Sequence, residues 1–127
     1  MTASQQITSE VTSWDGVEAG PGRRGEFAFK VGRREIGHLH GDHAAHFSFP
    51  KDVWAELFAA GRVVHHPVFP EKEGPAARRI ESEDDVRDVI ALMRLNYERF
   101  TSGGEGSSGG GGAGSSGGGG AGSSGGG

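Results

Sequence analysis

Three histidines and an aspartate lie within six residues of this chain, in the stretch Gly37-His38-Leu39-His40-Gly41-Asp42-His43. All six histidines of the chain lie between positions 38 and 66. They are His38, His40, His43, His46, His65 and His66. An imidazole can give or accept a proton near neutral pH, and it is a common metal ligand. The sequence therefore predicts a site for acid–base or metal chemistry in this segment.

Two metal hypotheses follow from the spacing. His38-x-His40-x-Asp42-His43 resembles the metallo-β-lactamase motif, in which histidines and an aspartate bind two zinc ions, and it would make the protein a zinc-dependent hydrolase. That fold is much longer than this chain and takes ligands from later segments, where only His65 and His66 remain. The simpler hypothesis joins His38 and His40 with one of His65 and His66 across a sheet. The remaining interpretation is that the histidines line a polar groove or are solvated.

Strands are predicted on both sides of this segment. Alternation of apolar and polar residues predicts five of them, with a hairpin turn at Gly32-Arg33. They span 27–31, 34–40, 46–49, 63–68 and 76–81. Because alternate residues of a strand point the same way, we expect Ile36, His38 and His40 to share one face. Neighbouring residues point opposite ways, so only one of His65 and His66 can face the site.

Three helices are predicted to support this sheet. The first has a capping box of Thr2 and Gln5, and a loop at 15–24 follows it. The second begins at Pro50 and ends at Gly61, and the third begins after Ser82 and extends to Phe100. The order of elements predicts an α+β domain, with the three helices packed on one face of a mainly antiparallel sheet.

The composition separates a domain at 1–102 from a tail at 103–127. The tail contains 16 of the 25 glycines, and we expect it to be disordered, either as an engineered linker or as a natural low-complexity segment. A fusion partner beyond it is expected only if the chain was cut from a fusion. The net charge of −4 argues against nucleic-acid binding, and the lack of long apolar stretches argues against a membrane span. The polar N-terminus, which lacks the apolar run of a signal peptide, favours a cytoplasmic location. The absence of cysteine argues against a disulfide framework and a thiolate metal site.

Arginines provide candidate anion-binding groups. They cluster at Arg23, Arg24, Arg33 and Arg34, and again at Arg78 and Arg79. Solvated charges around turns are the alternative interpretation. We expect Arg34 and Arg79, together with His65, to contact a small-molecule substrate.

A longer set of motifs resembles one known family. It consists of Gly32 to Asp42 (GRREIGHLHGD), Phe49-Pro50, Leu57, Gly61, His65-His66 and Leu92 to Arg99 (LMRLNYER). These motifs are similar to those of the small bacterial luciferase-domain proteins, which are named for their similarity to the fungal bioluminescence luciferase. The resemblance covers about residues 10–100. It implies oxidation of a hydroxypyrone-like molecule by molecular oxygen, without metal or flavin.

The resemblance also implies which residues act. His38, His40 and Asp42 match the family motif, and His66 or its neighbour matches a later histidine. A histidine held by a carboxylate could deprotonate an enol or phenol, and the resulting anion would react with oxygen. Two alternatives stay open, namely a zinc-dependent hydrolase and a non-catalytic module that binds a small molecule or a partner. Whether the protein is an enzyme is therefore also open.

Overall fold

The fold is seen in a computed structural model of the chain, which describes residues 1–22 and 26–107. The helices are α1 (Ala3–Val11), α2 (Lys51–Ala59) and α3 (Glu83–Ser107). The strands are β1 (Val17–Pro21), β2 (Phe27–Val31), β3 (Arg34–His40), β4 (Ala44–Ser48), β5 (Val64–His65) and β6 (Pro75–Arg79). They form one sheet in the order β1-β2-β3-β4-β6-β5, and every pairing is antiparallel. The predicted α+β class is confirmed.

The first strand contradicts the predicted loop at 15–24. β1 pairs along its whole length with β2, from Val17 opposite Val31 to Pro21 opposite Phe27. Gly20 and Pro21 favour a turn, but proline is tolerated in an edge strand because its missing N–H needs no partner on the outer side. Gly20 and Pro21 therefore lie in the strand at the edge of the sheet.

The later strands are shorter or shifted relative to the prediction. β4 begins at Ala44 and ends at Ser48, and β6 ends at Arg79. The strand expected at 63–68 is only Val64–His65, because the chain turns after His66 and the Phe69 N–H donates to the His66 carbonyl at 3.0 Å. The predicted strand is therefore replaced by a two-residue strand followed by a turn at residues 66–69.

A β-bulge in β3 changes which side chains share a face. Phe29 pairs with Gly37, whereas Lys30 pairs with Glu35, so the extra residue is Ile36. An extra residue shifts the alternation of side chains on its strand. Ile36 is fully buried, and Glu35 contacts His38 on the opposite side of the sheet. The prediction that Ile36 shares a face with His38 and His40 is therefore wrong.

The helices pack on one face of the sheet. Gly37 allows α3 to approach, because a Cβ atom at this position would lie 2.6 Å from the Sδ atom of Met93. The Trp54 indole of α2 donates to the Pro75 carbonyl at 3.0 Å, and α1 borders a cavity of about 610 Å³ together with Phe27 and Leu39. The other face carries His38 and His46, and we call it the histidine face.

The helix ends largely follow the predicted signals. Thr2 and Gln5 form the expected capping box of α1, and Ser82 Oγ accepts the Asp85 N–H at 3.2 Å. Gly61 follows α2 with φ +74°, a left-handed conformation that glycine adopts without strain. Pro50 is the residue before α2 rather than its first residue.

The chain forms two compact units, of which the first is Met1–Asn96 and the second begins at Tyr97. In the second unit, the Thr101 hydroxyl donates to the Tyr97 carbonyl at 2.8 Å. α3 continues to Ser107, into the segment predicted as tail, and residues 108–127 lie outside the described part of the chain. The boundary at 102 and the disorder of the tail stay predictions. Among the described residues, no helix is both long and apolar enough to cross a membrane.

Candidate functional site

Four imidazole rings lie in contact on the histidine face. They belong to His38, His40, His46 and His66, and we call them the histidine cluster. His38 and His46 are paired across β3 and β4, with ring centroids 5.2 Å apart. The His46 ring lies 4.2 Å from both the His40 ring and the His66 ring. The cluster therefore joins two central strands to the turn that follows β5.

A carboxylate orients one ring and fixes its tautomer. Glu35 Oε2 lies 2.6 Å from His38 Nδ1. A carboxylate accepts hydrogen bonds, so Nδ1 carries the proton and donates it to Glu35. In the neutral ring, the other nitrogen, Nε2, then keeps a lone pair. That lone pair can accept a proton or bind a metal ion.

His46 is the buried centre of the cluster. Burial, followed by the neighbouring rings of His66, His40 and His38, lowers the pKa of His46 to about 3. The ring is therefore neutral at physiological pH. Its Nδ1 atom is buried and has no hydrogen-bond partner among the described residues.

His40 and His66 lie at opposite ends of the cluster. His40 is exposed, and its pKa is lowered by partial burial and by His38, against a raising effect from Glu26. His66 is buried, and its Nδ1 accepts the Val68 N–H at 3.1 Å. The Phe69 ring lies 5.4 Å from the His66 ring. A molecule arriving from solvent would therefore meet His40 directly, whereas at the other end it would meet the Phe69 side chain that lies beside the buried His66.

The cluster also has the geometry of a metal-binding group. One nitrogen from each of His38, His46 and His66 lies within 4.8 Å of the other two. A second group that could hold a cation consists of Glu26, Glu35 and His38. The two groups share His38, which is where carboxylate and imidazole ligands meet.

Asp42 does not join the histidine cluster. Its carboxylate accepts the Ser4 N–H at 2.9 Å, and so contributes to the cap of α1. This hydrogen bond, with further ones from the Ser4 and Thr2 side chains, lowers the pKa of Asp42. His43 is exposed in the turn after β3. The structure therefore does not bring His38, His40, Asp42 and His43 together as the metallo-β-lactamase-like zinc set.

The predicted substrate-binding residues lie apart from the cluster. His65 faces α2, where its ring lies 5.1 Å from the rings of both Trp54 and Phe58. Arg34 pairs with Val31 next to the Lys30–Glu35 pair, so alternation directs it away from the face of Glu35.

Arg79 remains on the histidine face. In the sheet, Arg79 of β6 is paired with Ala44 of β4, and Ala44 is paired with His40 of β3, so the three side chains lie on the same face. The Arg79 guanidinium forms an ion pair with Glu81 at 2.7 Å. Arg23 and Arg24 lie outside the described residues.

The sequence did not lead us to group His46 and Glu35 with His38. His46 was expected to be solvated or to line a groove, but the register of β3 and β4 places it directly opposite His38. The three-residue turn at 41–43 sets this register. A short turn at Gly41-Asp42 could therefore have been used to predict that His46 pairs with His38. Glu35 was missed because only the bulge moves it to the face of His38.

The model of the family described as Luciferase domain matches residues 33–96, half of the chain. The chain belongs to the luciferase-domain family. The matched range of this luciferase domain contains Glu35 and all four rings of the histidine cluster. No curated protein and no solved structure is significantly similar to the chain.

Proposed function

We propose that this luciferase domain catalyses the oxygen-dependent oxidation of an enolisable small molecule, such as a hydroxypyrone or a phenol, at the histidine cluster. The proposal rests on family membership and on one geometric observation. His40 is the exposed ring of the cluster, and it contacts the buried His46 and the carboxylate-held His38. This exposed position supports the assignment of His40 as the proton acceptor.

The proposed reaction begins with transfer of the substrate hydroxyl proton to His40. The resulting enolate carries its electron pair on carbon and forms a carbon–oxygen bond with molecular oxygen. Oxygen is reduced to a carbon-bound peroxide, and the protonated His40 returns the proton to it. The sum is the addition of one oxygen molecule to the substrate. A positioned general base typically contributes about 10²- to 10⁴-fold to such a step.

The surroundings of the cluster favour an aromatic substrate. Val68 and Phe69 expose apolar surface next to His66, and such surface binds flat rings by burial and ring–ring contact. Arg79, on the same face, is the group that would bind an acidic substituent. The predicted role of Arg79 in substrate binding is therefore kept in the proposal, whereas Arg34 and His65 face elsewhere.

Oxygen consumption with a panel of 2-pyrones, enols and phenols tests the proposal. We expect turnover with at least one compound, and a loss of about 100-fold or more in His40→Gln. His43→Gln is the matched control, because His43 is an exposed histidine three residues away and outside the cluster. It should retain full activity.

Two outcomes would overturn the proposal. Absence of oxygen uptake across the panel, with the protein folded, would leave a binding module if ligands still bind and if His40→Gln alters their affinity. Full activity of His40→Gln would exclude His40 as the proton acceptor.

A further inference from the structure

We infer that His38, His46 and His66 form a binding site for one divalent transition-metal ion of the zinc and iron(II) class. The role of such an ion in oxidation rests on the proposed function, whereas its binding is measurable without any substrate. Neither the Luciferase domain match nor the metallo-β-lactamase-like spacing assigns this set of ligands.

The distances fit an ion with small movements of the rings. The three candidate nitrogens lie within 4.8 Å of one another. Bonds from zinc to histidine nitrogen are about 2.0–2.1 Å, so tetrahedral ligands lie roughly 3.4 Å apart. Side-chain rotations that move each nitrogen by about an ångström would close this gap. Three neutral imidazoles suit zinc, iron and related ions and leave a position open for a further ligand.

The buried nitrogen of His46 is an independent indication of a ligand. His46 is 7% exposed, and its Nδ1 atom has no hydrogen-bond partner among the described residues. Buried polar atoms in native proteins are nearly always satisfied by protein, water or an ion. A metal ion bound at Nδ1 would give this atom a partner.

Glu35 and His38 have the arrangement that commonly supports a metal ligand. Metal-binding histidines usually donate their second N–H to a carboxylate, which orients the ring and makes the bound nitrogen more basic. Glu35 accepts from His38 Nδ1 at 2.6 Å and leaves Nε2 for the ion. Glu35 would thus be a positioning residue for the metal ligand.

His66 makes one contact that metal binding must change. Its Nδ1 accepts the Val68 N–H, which puts the ring proton of the neutral form on Nε2. Binding therefore requires either that the metal takes the place of this N–H at Nδ1, or that the ring proton moves from Nε2 to Nδ1 and the metal binds at Nε2. In both cases the Val68 amide loses its partner, and this gives a local signal of binding.

The inferred ion and the proposed base occupy different rings. His40 is outside the set of three and stays exposed at its side. When bound, a divalent ion would lower the pKa of a hydroxyl coordinated at its open position, which favours the enolate. Proton acceptance by His40 and metal binding by the other three rings are thus compatible.

Titration of the full chain with cobalt(II) tests this inference. The protein is prepared without a polyhistidine tag, stripped with chelator and followed by visible absorption and by elemental analysis. We expect one ion per chain and displacement of cobalt by zinc. His46→Gln should abolish binding, and Glu35→Gln should weaken it by about 10- to 100-fold. His43→Gln should bind as the unmodified chain does.

A second readout covers the case in which His46→Gln does not fold. Glu35 is partly exposed, so Glu35→Gln is the milder variant. In the unmodified chain, the Val68 amide resonance should shift as one equivalent of zinc, which is diamagnetic, is added. No binding at micromolar cobalt by the folded chain would overturn the inference, as would loss of binding in His43→Gln with retention in His46→Gln.

The results also separate the site from the proposed reaction. Stoichiometric metal without oxygen uptake would support the site and contradict the oxidation. Oxygen uptake that persists at full rate in metal-free protein would support the oxidation and contradict a role for the ion.

Discussion

The side-chain amide of Asn96 donates a hydrogen bond to the main-chain carbonyl of Ile36 at 3.2 Å, across 60 residues of sequence. Ile36 is the extra residue of the β-bulge, and the same amide donates to the Ser48 carbonyl at 3.2 Å. Asn96 is fully buried. A single side chain of α3 thus satisfies one carbonyl at the bulge and one at the end of β4. It holds together the two strands that carry His38 and His46.

Substitution Asn96→Leu should destabilise the fold by about 2–4 kcal/mol, because it removes the donor for two carbonyls, and each unsatisfied buried group costs roughly 1–3 kcal/mol. Urea unfolding measures this difference. Leu95→Ala is the control, because Leu95 is the adjacent helix residue and is 40% exposed. A loss below about 0.5 kcal/mol in Asn96→Leu, the range of ordinary surface substitutions, would contradict the bridging role.

Substitution Gly37→Ala should cost about 1–3 kcal/mol, because the new methyl group overpacks the contact between β3 and α3. The added carbon would lie 2.6 Å from Met93 Sδ and 3.1 Å from Phe47 Cδ1. Met93→Ala should relieve the overlap, so the double variant should lose less stability than the two single variants together. Additive losses in a double-mutant cycle would show that the two positions do not share this space.

The stability of the protein should fall at acid pH through Asp85. The N–H of Glu81, and then the charge of Arg78, hold the pKa of Asp85 below its ordinary value of 3.8. The folded state therefore binds this proton more weakly than the unfolded state does. The stabilisation is complete above the unfolded pKa and is lost as pH falls through the lower folded pKa.

Urea unfolding between about pH 2 and 6 measures this effect. Asp85→Asn should be less stable at pH 6 and should show a smaller decline toward acid pH. Asp84→Asn, which changes a carboxylate that is 85% exposed on the same turn, is the control. An unchanged slope in Asp85→Asn would show that Asp85 does not contribute to it.

Asp42 should matter for the fold rather than for the chemistry. Its carboxylate accepts the Ser4 N–H at the start of α1, and the structure does not bring it to the histidine cluster. Asp42→Ala should therefore lower the melting temperature but leave cobalt binding and oxygen uptake by the folded protein unchanged. Loss of cobalt binding at temperatures where the variant is folded would show that Asp42 contributes to the metal site.

Most of the architecture could be predicted from local signals. The three helices have clear start signals, as at Thr2 and Ser82, and the hairpin at Gly32 follows from turn chemistry. β1 was missed because Gly20 and Pro21 favour a turn, and only pairing with β2 makes them an edge strand. The local preferences of residues predict where helices and strands occur. Which strand pairs with which depends on the whole sheet.

The site was predicted in part, for the same physical reason. His38, His40 and His66 were found by residue type and spacing, and the expectation that only one of His65 and His66 faces the site holds. Asp42 was assigned to the cluster because it is near in sequence. The carboxylate that contacts His38 is instead Glu35, which the bulge brings to that face. A one-residue irregularity leaves no mark in an alternating pattern, so sequence could not reveal it.

The two faces of the sheet carry different kinds of residues. One face is packed against the helices and provides the core, whereas the other carries the histidine cluster. Substitutions at the helix-packed residues should lower the stability of the fold, whereas a substitution at the exposed His40 should leave the fold intact. The residues of the two faces could therefore change independently among members of the family. Sequence divergence among relatives should then be uncorrelated between the odd and even positions of β4.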